Sequence, residues 1–227
     1  MRKLLICCFL LVSSSLIAAS SNDALYDSAN QGDQISQFLL GEMYMDGIEV
    51  EQDYEQAKFW LEKAAIQGNI DAQFDLGILY FSMGDDKMAS EQAIFWLEKA
   101  AARDLAPAQY YLGWIYEYGK GAKQNKEQAR WLYEQSAYHG FAPAQLALGL
   151  MYASGVGGRK DFGMAAEWFK KAAEQGDSEA QNILGVLYEA GEGVPQNKTL
   201  AKEWYSMSCN NGSQSGCKNF SLLNNKY

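Results

Sequence analysis

Three groups of residues in this sequence have types that could support chemistry. Cys209 and Cys217 are eight positions apart, which suits either a disulfide or part of a metal site. His139 is the only histidine, which excludes a histidine-rich zinc site and a two-histidine mechanism. Glycine pairs such as Gly119-Lys-Gly121 resemble fragments of phosphate-binding loops. Each of these chemistries depends on the secondary structure that positions the residues.

The composition narrows the class of protein. The chain has 227 residues, of which 48% are hydrophobic and 13% aromatic, so it can bury a core and is not a disordered segment. Its formal net charge is −9. Because nucleic-acid-binding proteins concentrate Lys and Arg, this acidic excess argues against a nucleic-acid partner.

The first twenty residues have the order of a secretory signal peptide. Arg2 and Lys3 precede an apolar run at 4–12 and then small residues. We expect cleavage near Ser20 and a periplasmic or secreted mature protein. An uncleaved anchor and a lipid-modified Cys7 are the alternatives, although the apolar run is shorter than the roughly 20 residues that span a bilayer. No second long apolar run follows, so stable membrane insertion is not expected.

A repeat of 36 residues organises the rest of the chain. The pair Leu-Gly recurs five times at this spacing without insertion or deletion. A glutamine precedes each of these glycines by four residues, and a tyrosine follows it by three. The repeated pairs are Leu40-Gly41, Leu76-Gly77, Leu112-Gly113, Leu148-Gly149 and Leu184-Gly185.

Each repeat is predicted to form two helices. Ala72, Leu76 and Tyr80 follow one another at steps of four residues, which places them on one face of a first helix. Ala57 and Trp60 begin the corresponding face of a second helix. The glycine of each Leu-Gly pair lowers helix propensity by about 1 kcal/mol relative to alanine. We therefore expect a neighbouring backbone to pack too closely there for a side chain.

The repeat resembles the Sel-1-like repeat, a relative of the tetratricopeptide repeat. The resemblance implies an all-α fold, a right-handed superhelical α/α solenoid of helical hairpins. Glu49 and Asp104 stand where the pattern has glycine, so their turns should be less regular. The fourth copy shows the pattern in Ala144-Gln145, Leu148-Gly149, Tyr152, Gly155, Gly157, Ala165, Trp168, Ala172-Ala173 and Gly176.

The repeat register gives the two cysteines a role. Cys209 lies near the end of a second helix and Cys217 lies early in the next first helix, so their spacing crosses the turn between antiparallel helices. In an oxidising compartment we expect a disulfide that fastens the terminal helix to the array. The predicted organisation is a signal peptide at 1–20, an N-terminal half repeat at 21–32, five repeats at 33–212, and a C-terminal capping helix and tail at 213–227.

The repeat pattern argues against a chemical role for the glycine pairs and for His139. The glycine pairs follow a helix rather than a strand, so they are predicted to be turns between helices and not phosphate-binding loops. His139 falls in the last turn of a helix, without a second histidine or a paired nucleophile. We expect no metal, no cofactor and no catalytic residue, and therefore a protein that is not an enzyme.

The geometry of tetratricopeptide repeats, as implied by the resemblance, places one set of first-helix residues on a concave surface. Aromatic residues concentrate at these positions in the first three repeats, and aromatic anchors dominate protein-binding hot spots. The alternative is that these side chains are additional core. The predicted partner-binding groove comprises Phe38, Phe74, Ile78, Phe81, Tyr110, Trp114 and Tyr118.

These observations favour a monomeric scaffold that binds a protein or a peptide. The resemblance adds two narrower alternatives. One is a periplasmic immunity protein that neutralises a phospholipase effector. The other is the weak penicillin-binding or β-lactamase-like activity described for cysteine-rich relatives, although this sequence has no S-x-x-K accompanied by its partner motifs.

Overall fold

The computed structural model describes residues 22–84 and 86–225. These residues form helices joined by short turns and contain no strand, which confirms the all-α prediction. The predicted signal peptide lies outside the described residues. Two compact units are present, the first ending at Gly84. In the first unit the helices are α1 (22–30), α2 (Gln34–Asp46), α3 (Tyr54–Ile66) and α4 (Ile70–Ser82).

The second unit contains the remaining eight helices of the described residues. Consecutive helices within each unit pack against each other as hairpins. The helices are α5 (Lys87–Ala101), α6 (Ala106–Tyr118), α7 (Lys126–Tyr138), α8 (Ala142–Ser154), α9 (Phe162–Glu174), α10 (Ser178–Ala190), α11 (Lys198–Asn210) and α12 (Gln214–Asn225).

Capping side chains define where most of these helices begin. The Asp53 carboxylate accepts from the backbone N–H groups of Glu55 and Gln56, at 2.9 and 3.1 Å. Asn125, Asp161 and Asn197 cap their helices in the same way. The prediction of a cap before each of these second helices is confirmed. The helices α6 and α8 begin without a side-chain cap, and each has a proline in its first turn.

Four glycines of the Leu-Gly pairs lie where a second helix packs against a first, at Gly41, Gly113, Gly149 and Gly185. A Cβ atom at Gly149 would lie 2.6 Å from Cε1 of Phe169, and one at Gly185 would lie equally close to the Tyr205 ring. The close neighbour was expected to be backbone, but it is chiefly a buried side chain of the second helix in the same hairpin. Gly41 meets Leu61 in the same way.

Glu49 and Asp104 take the backbone conformation of the glycines that they replace. Both have φ of 61°, in the left-handed region. Gly121, which corresponds to Glu49 in a later repeat, has φ of 75°, and Gly140, which corresponds to Asp104, has φ of 86°. These turns therefore keep the left-handed conformation, although their residue types predicted less regular turns. Non-glycine residues adopt it at a cost of roughly 1 kcal/mol.

A buried glutamine joins each first helix to the second helix before it. Its Nε2 donates to the carbonyl of the residue eight positions earlier, at 2.9–3.3 Å. Buried polar groups need such partners, so this bond fixes the turn between the two helices. The donors and acceptors are Gln37 to Ala29, Gln73 to Ala65, Gln109 to Ala101, Gln145 to Ala137 and Gln181 to Ala173.

Candidate functional site

The predicted groove residues are distributed over both units. Phe38 on α2 and Phe74, Ile78 and Phe81 on α4 belong to the first unit. All four side chains are partly buried. Partial burial leaves each of them some surface for a partner, while most of the side chain contributes to packing.

In the second unit, Tyr110, Trp114 and Tyr118 follow one another along one face of α6 at steps of four residues. The ring centroids of Trp114 and Tyr118 are 4.9 Å apart, and Tyr118 is 56% exposed. We call these three residues the α6 aromatic surface. Its three side chains range from mostly packed to mostly exposed.

Tyr110 and Trp114 also contribute to the core. Both pack against the buried cluster that contains Tyr133 and Leu148. The Tyr110 ring lies 5.5 Å from the Tyr133 ring and 5.4 Å from the Phe141 ring. The groove and core interpretations therefore both describe part of this surface, with Tyr118 on the exposed side and Tyr110 on the packed side.

Two tyrosines of the second helices donate hydrogen bonds to glutamates of the first helices α6 and α10. Tyr133 donates to Glu117 at 2.8 Å, and Tyr205 donates to Glu189 at 2.9 Å. Burial and, next, the bonded carboxylate raise the pKa of both tyrosines above the ordinary value, so both remain neutral donors. The sequence analysis did not predict either of these tyrosine–glutamate pairs.

Carboxyl groups converge on the first-helix faces of the first unit. Burial, followed by the charges of Glu42, Asp71 and Asp46, raises the pKa of Asp75 to about 7. The pKa of Glu42 is also raised, by burial and by Asp46 and Asp71. Like charges that are close together disfavour ionisation. This part of the first unit is therefore an acidic cluster in which the Asp75 carboxyl is partly protonated at neutral pH.

The glycine pairs and the histidine have structural positions. A Cβ at Gly157 would overlap the carbonyl of Lys126, so this glycine permits close packing of a turn. His139 ends α7, and its Nδ1 lies 3.2 Å from the carbonyl of Asp104. At the same repeat position Gln175 donates to the carbonyl of Gly140 at 3.0 Å. His139 thus occupies a position that links successive hairpins.

One aromatic series was missed. Phe59, Phe95 and Trp131 occupy the same position of successive second helices, and they are 46%, 46% and 57% exposed. The signal was available in the sequence, because the three aromatic residues are 36 positions apart. The predicted groove contains only residues of the first helices, so it does not include this series.

The disulfide between Cys209 and Cys217 joins α11 to α12, with Cα atoms 4.4 Å apart. Cys217 takes the repeat position of the buried glutamine, and Cys209 takes the position of the residue whose carbonyl that glutamine bonds. The covalent bond thus joins the two positions that a hydrogen bond links in the earlier repeats. Among residues 22–84 and 86–225, no group of three or more His, Cys, Asp or Glu side chains could hold a metal ion.

Replacing both cysteines by alanine should lower the free energy of unfolding by about 2–3 kcal/mol, because the unfolded chain regains the entropy of an eight-residue loop. Urea denaturation followed by circular dichroism measures this loss. The matched variant Cys209→Ala/Cys217→Gln reinstates the glutamine of the earlier repeats and should recover about 1 kcal/mol. Equal stability of the wild type and the double alanine variant would contradict the stabilising role.

Comparison with known proteins identifies the family. The family model of the Sel1 repeat matches residues 34–69, 70–105, 106–141, 142–177 and 178–213. The chain belongs to the Sel1 repeat family. No curated protein matches this Sel1 repeat protein in a sequence search. Among its described residues, no helix combines the length and the hydropathy needed to cross a membrane.

Several solved structures resemble this Sel1 repeat protein. A protective antigen of uropathogenic Escherichia coli with an SLR fold is 34% identical, with a TM-score of 0.83, and the match covers 88% of this chain and 43% of the antigen. A Sel1 repeat protein from Oxalobacter formigenes is also 34% identical, with a TM-score of 0.74 and coverage of 84% and 76%. An immunity protein from Pseudomonas aeruginosa shares the fold at 20% identity, with a TM-score of 0.52 and coverage of 86% and 74%. This Sel1 repeat protein thus spans less than half the length of the antigen.

Proposed function

We propose that this Sel1 repeat protein is a non-enzymatic scaffold that binds a protein or peptide partner through the α6 aromatic surface. The observation that carries the proposal is the row of Tyr110, Trp114 and Tyr118 along one helix face, with Tyr118 56% exposed. Aromatic side chains supply large contact areas at a low entropic cost and are enriched at binding hot spots. A repeat array presents such residues on a rigid framework.

We further propose that the scaffold acts in the periplasm or is secreted after cleavage near Ser20. The order of charged, apolar and small residues in the first twenty positions supports this location. The disulfide between Cys209 and Cys217 supports it independently, because such bonds persist in oxidising compartments.

A photo-crosslinking amino acid placed at Tyr118 should capture a partner from an extract of the source cells. The exposed side chain is replaced without opening the core, so the variant should keep the melting temperature of the wild type. Trp114→Ala in the same background should reduce the crosslink at least roughly tenfold, as expected when a hot-spot aromatic is truncated. Mass spectrometry of the crosslinked band identifies the partner.

The matched control places the same crosslinker at Trp131, which is 57% exposed on α7 and belongs to the second-helix series. Capture from position 118 but not from position 131 supports the α6 aromatic surface. Capture from 131 alone would assign the contact to the second helices and contradict the proposal. A Trp114→Ala variant that loses its cooperative thermal transition would favour the core interpretation of Trp114.

The immunity-protein hypothesis is a narrower version of the same function. Its structural support is a likeness of fold, because the Pseudomonas aeruginosa immunity protein is 20% identical to this chain. An adjacent gene for a phospholipase effector and direct inhibition of that effector would be required. The β-lactamase-like hypothesis is tested by nitrocefin hydrolysis, for which we expect no turnover by the purified protein.

A further inference from the structure

The first unit has an apolar cleft at the end of the repeat array, formed by α1, α2 and the turn that follows α2. Leu25, Leu39, Met43 and Ile48 line this cleft of about 450 Å³. Leu39 is 41% exposed and Ile48 is 57% exposed. Terminal repeats usually present a polar outer face to solvent, so exposed aliphatic side chains here indicate a surface that another molecule covers.

The negative charge of residues 22–227 is concentrated in the unit that contains this cleft. Residues 22–84 contain twelve Asp and Glu residues against two basic residues, Lys58 and Lys63, which gives a net charge of −10. Residues 85–227 contain sixteen acidic and fifteen basic residues, which gives −1. Both lysines of residues 22–84 lie on α3, so α1, α2 and α4 contain no basic residue.

Three carboxylates line the cleft beside its aliphatic side chains. Glu42, Asp46 and Glu49 line the same cleft as Leu39 and Ile48. Burial, followed by the charges of Asp46 and Asp71, raises the pKa of Glu42, so repulsion from these two neighbouring carboxylates adds to the cost of burying the Glu42 charge. A bound cation would relieve this repulsion, whereas an anionic partner would increase it.

We propose that the α1–α2 cleft is a docking site for a segment of a partner protein that carries both aliphatic and Lys or Arg side chains. The aliphatic side chains pack on Leu39 and Ile48, and the cationic groups pair with Glu42, Asp46 and Glu49. A second copy of this chain fits poorly, because it would bring two regions of −10 together. The site lies in the first unit and is independent of the α6 aromatic surface.

Fluorescence anisotropy with the full chain tests the site. The probe is a short fluorescein-labelled peptide composed of lysine and leucine, measured at low salt and at about 0.15 M salt, where the Debye length is about 8 Å. The triple variant Glu42→Gln/Asp46→Asn/Glu49→Gln should weaken binding at least roughly tenfold, and Ile48→Ser should weaken it several-fold. Circular dichroism verifies that each variant is folded.

Matched controls separate a specific site from general attraction. Glu167→Gln/Glu192→Gln/Glu203→Gln removes three exposed carboxylates of the second unit, and Ile66→Ser removes an aliphatic side chain that is 75% exposed on α3. Both controls should change the affinity less than about twofold. Equal losses in the two triple variants, or equal binding of a glutamate–leucine peptide, would overturn the proposal. If light scattering shows that the wild type is a dimer and that Ile48→Ser is a monomer, the cleft is a self-association surface and the proposal of a partner segment is wrong.

Discussion

Phe169→Ala should lower the free energy of unfolding by about 3–5 kcal/mol, the range for a large buried aromatic side chain. The ring is fully buried in a cluster with Ala165, Leu184 and Leu187. It also fills the space left by Gly149, whose missing side chain allows the ring edge to approach α8. Neither helix can close the resulting cavity without displacing the next hairpin. Urea denaturation monitored by circular dichroism measures the loss.

The chain offers a matched control for this substitution. Phe95→Ala removes the same side chain from a second helix, but Phe95 is 46% exposed. Its contacts include a ring-edge contact with Trp96 and the ammonium group of Lys99 over its face. We expect a loss of about 1 kcal/mol or less. Comparable losses at positions 95 and 169 would show that the ring of Phe169 is not what fastens α9 to α8.

The helices of this protein could be predicted from sequence because each repeat carries the same local instructions. In four repeats the 36-residue spacing of Leu-Gly, the polar residue before the second helix and the glycine after it determine the helix boundaries without knowledge of any neighbour. The second repeat differs, because α5 begins after Asp86 and Asp104 replaces the glycine. The disulfide followed from the same register, since Cys209 and Cys217 fall on opposite sides of a predicted turn. Periodic, short-range information was sufficient for these features.

Contacts that occur in only some of the repeats could not be predicted in this way. Whether a first-helix glutamate is held by a tyrosine depends on two residues 16 positions apart, as in Glu117 with Tyr133. Leu61 and Phe169 occupy the repeat position that is tyrosine at 133 and 205. The consensus pattern therefore does not predict the tyrosine–glutamate bond. Likewise, the environment of Asp75 arises from α2 and from its own helix together. The structure was also needed to show that Glu49 keeps the left-handed conformation of the glycine that it replaces.

Asp75→Asn should stabilise the protein above neutral pH. Burial and neighbouring carboxylates raise the pKa of Asp75 from 3.8 to about 7, so the folded state binds this proton more tightly than the unfolded state. The free energy of unfolding should therefore fall as the pH rises from about 4 to about 7, and the penalty is complete above pH 7. Asparagine does not ionise, so the gain at pH 8 should be on the order of 2–4 kcal/mol. Urea denaturation at a series of pH values measures it.

The difference between Asp75→Asn and the wild type should vanish below about pH 3, where the Asp75 carboxyl is protonated in both the folded and the unfolded state. Asp27→Asn, at an exposed position of α1, is the control and should leave the pH dependence of the wild type unchanged. If Asp75→Asn keeps the wild-type slope between pH 4 and 7, burial and the neighbouring carboxylates do not raise the pKa of Asp75 in the folded protein. The expected result means that this carboxylate opposes folding at neutral pH. Burial makes up the largest part of this cost, and the charges of Glu42, Asp71 and Asp46 add to it.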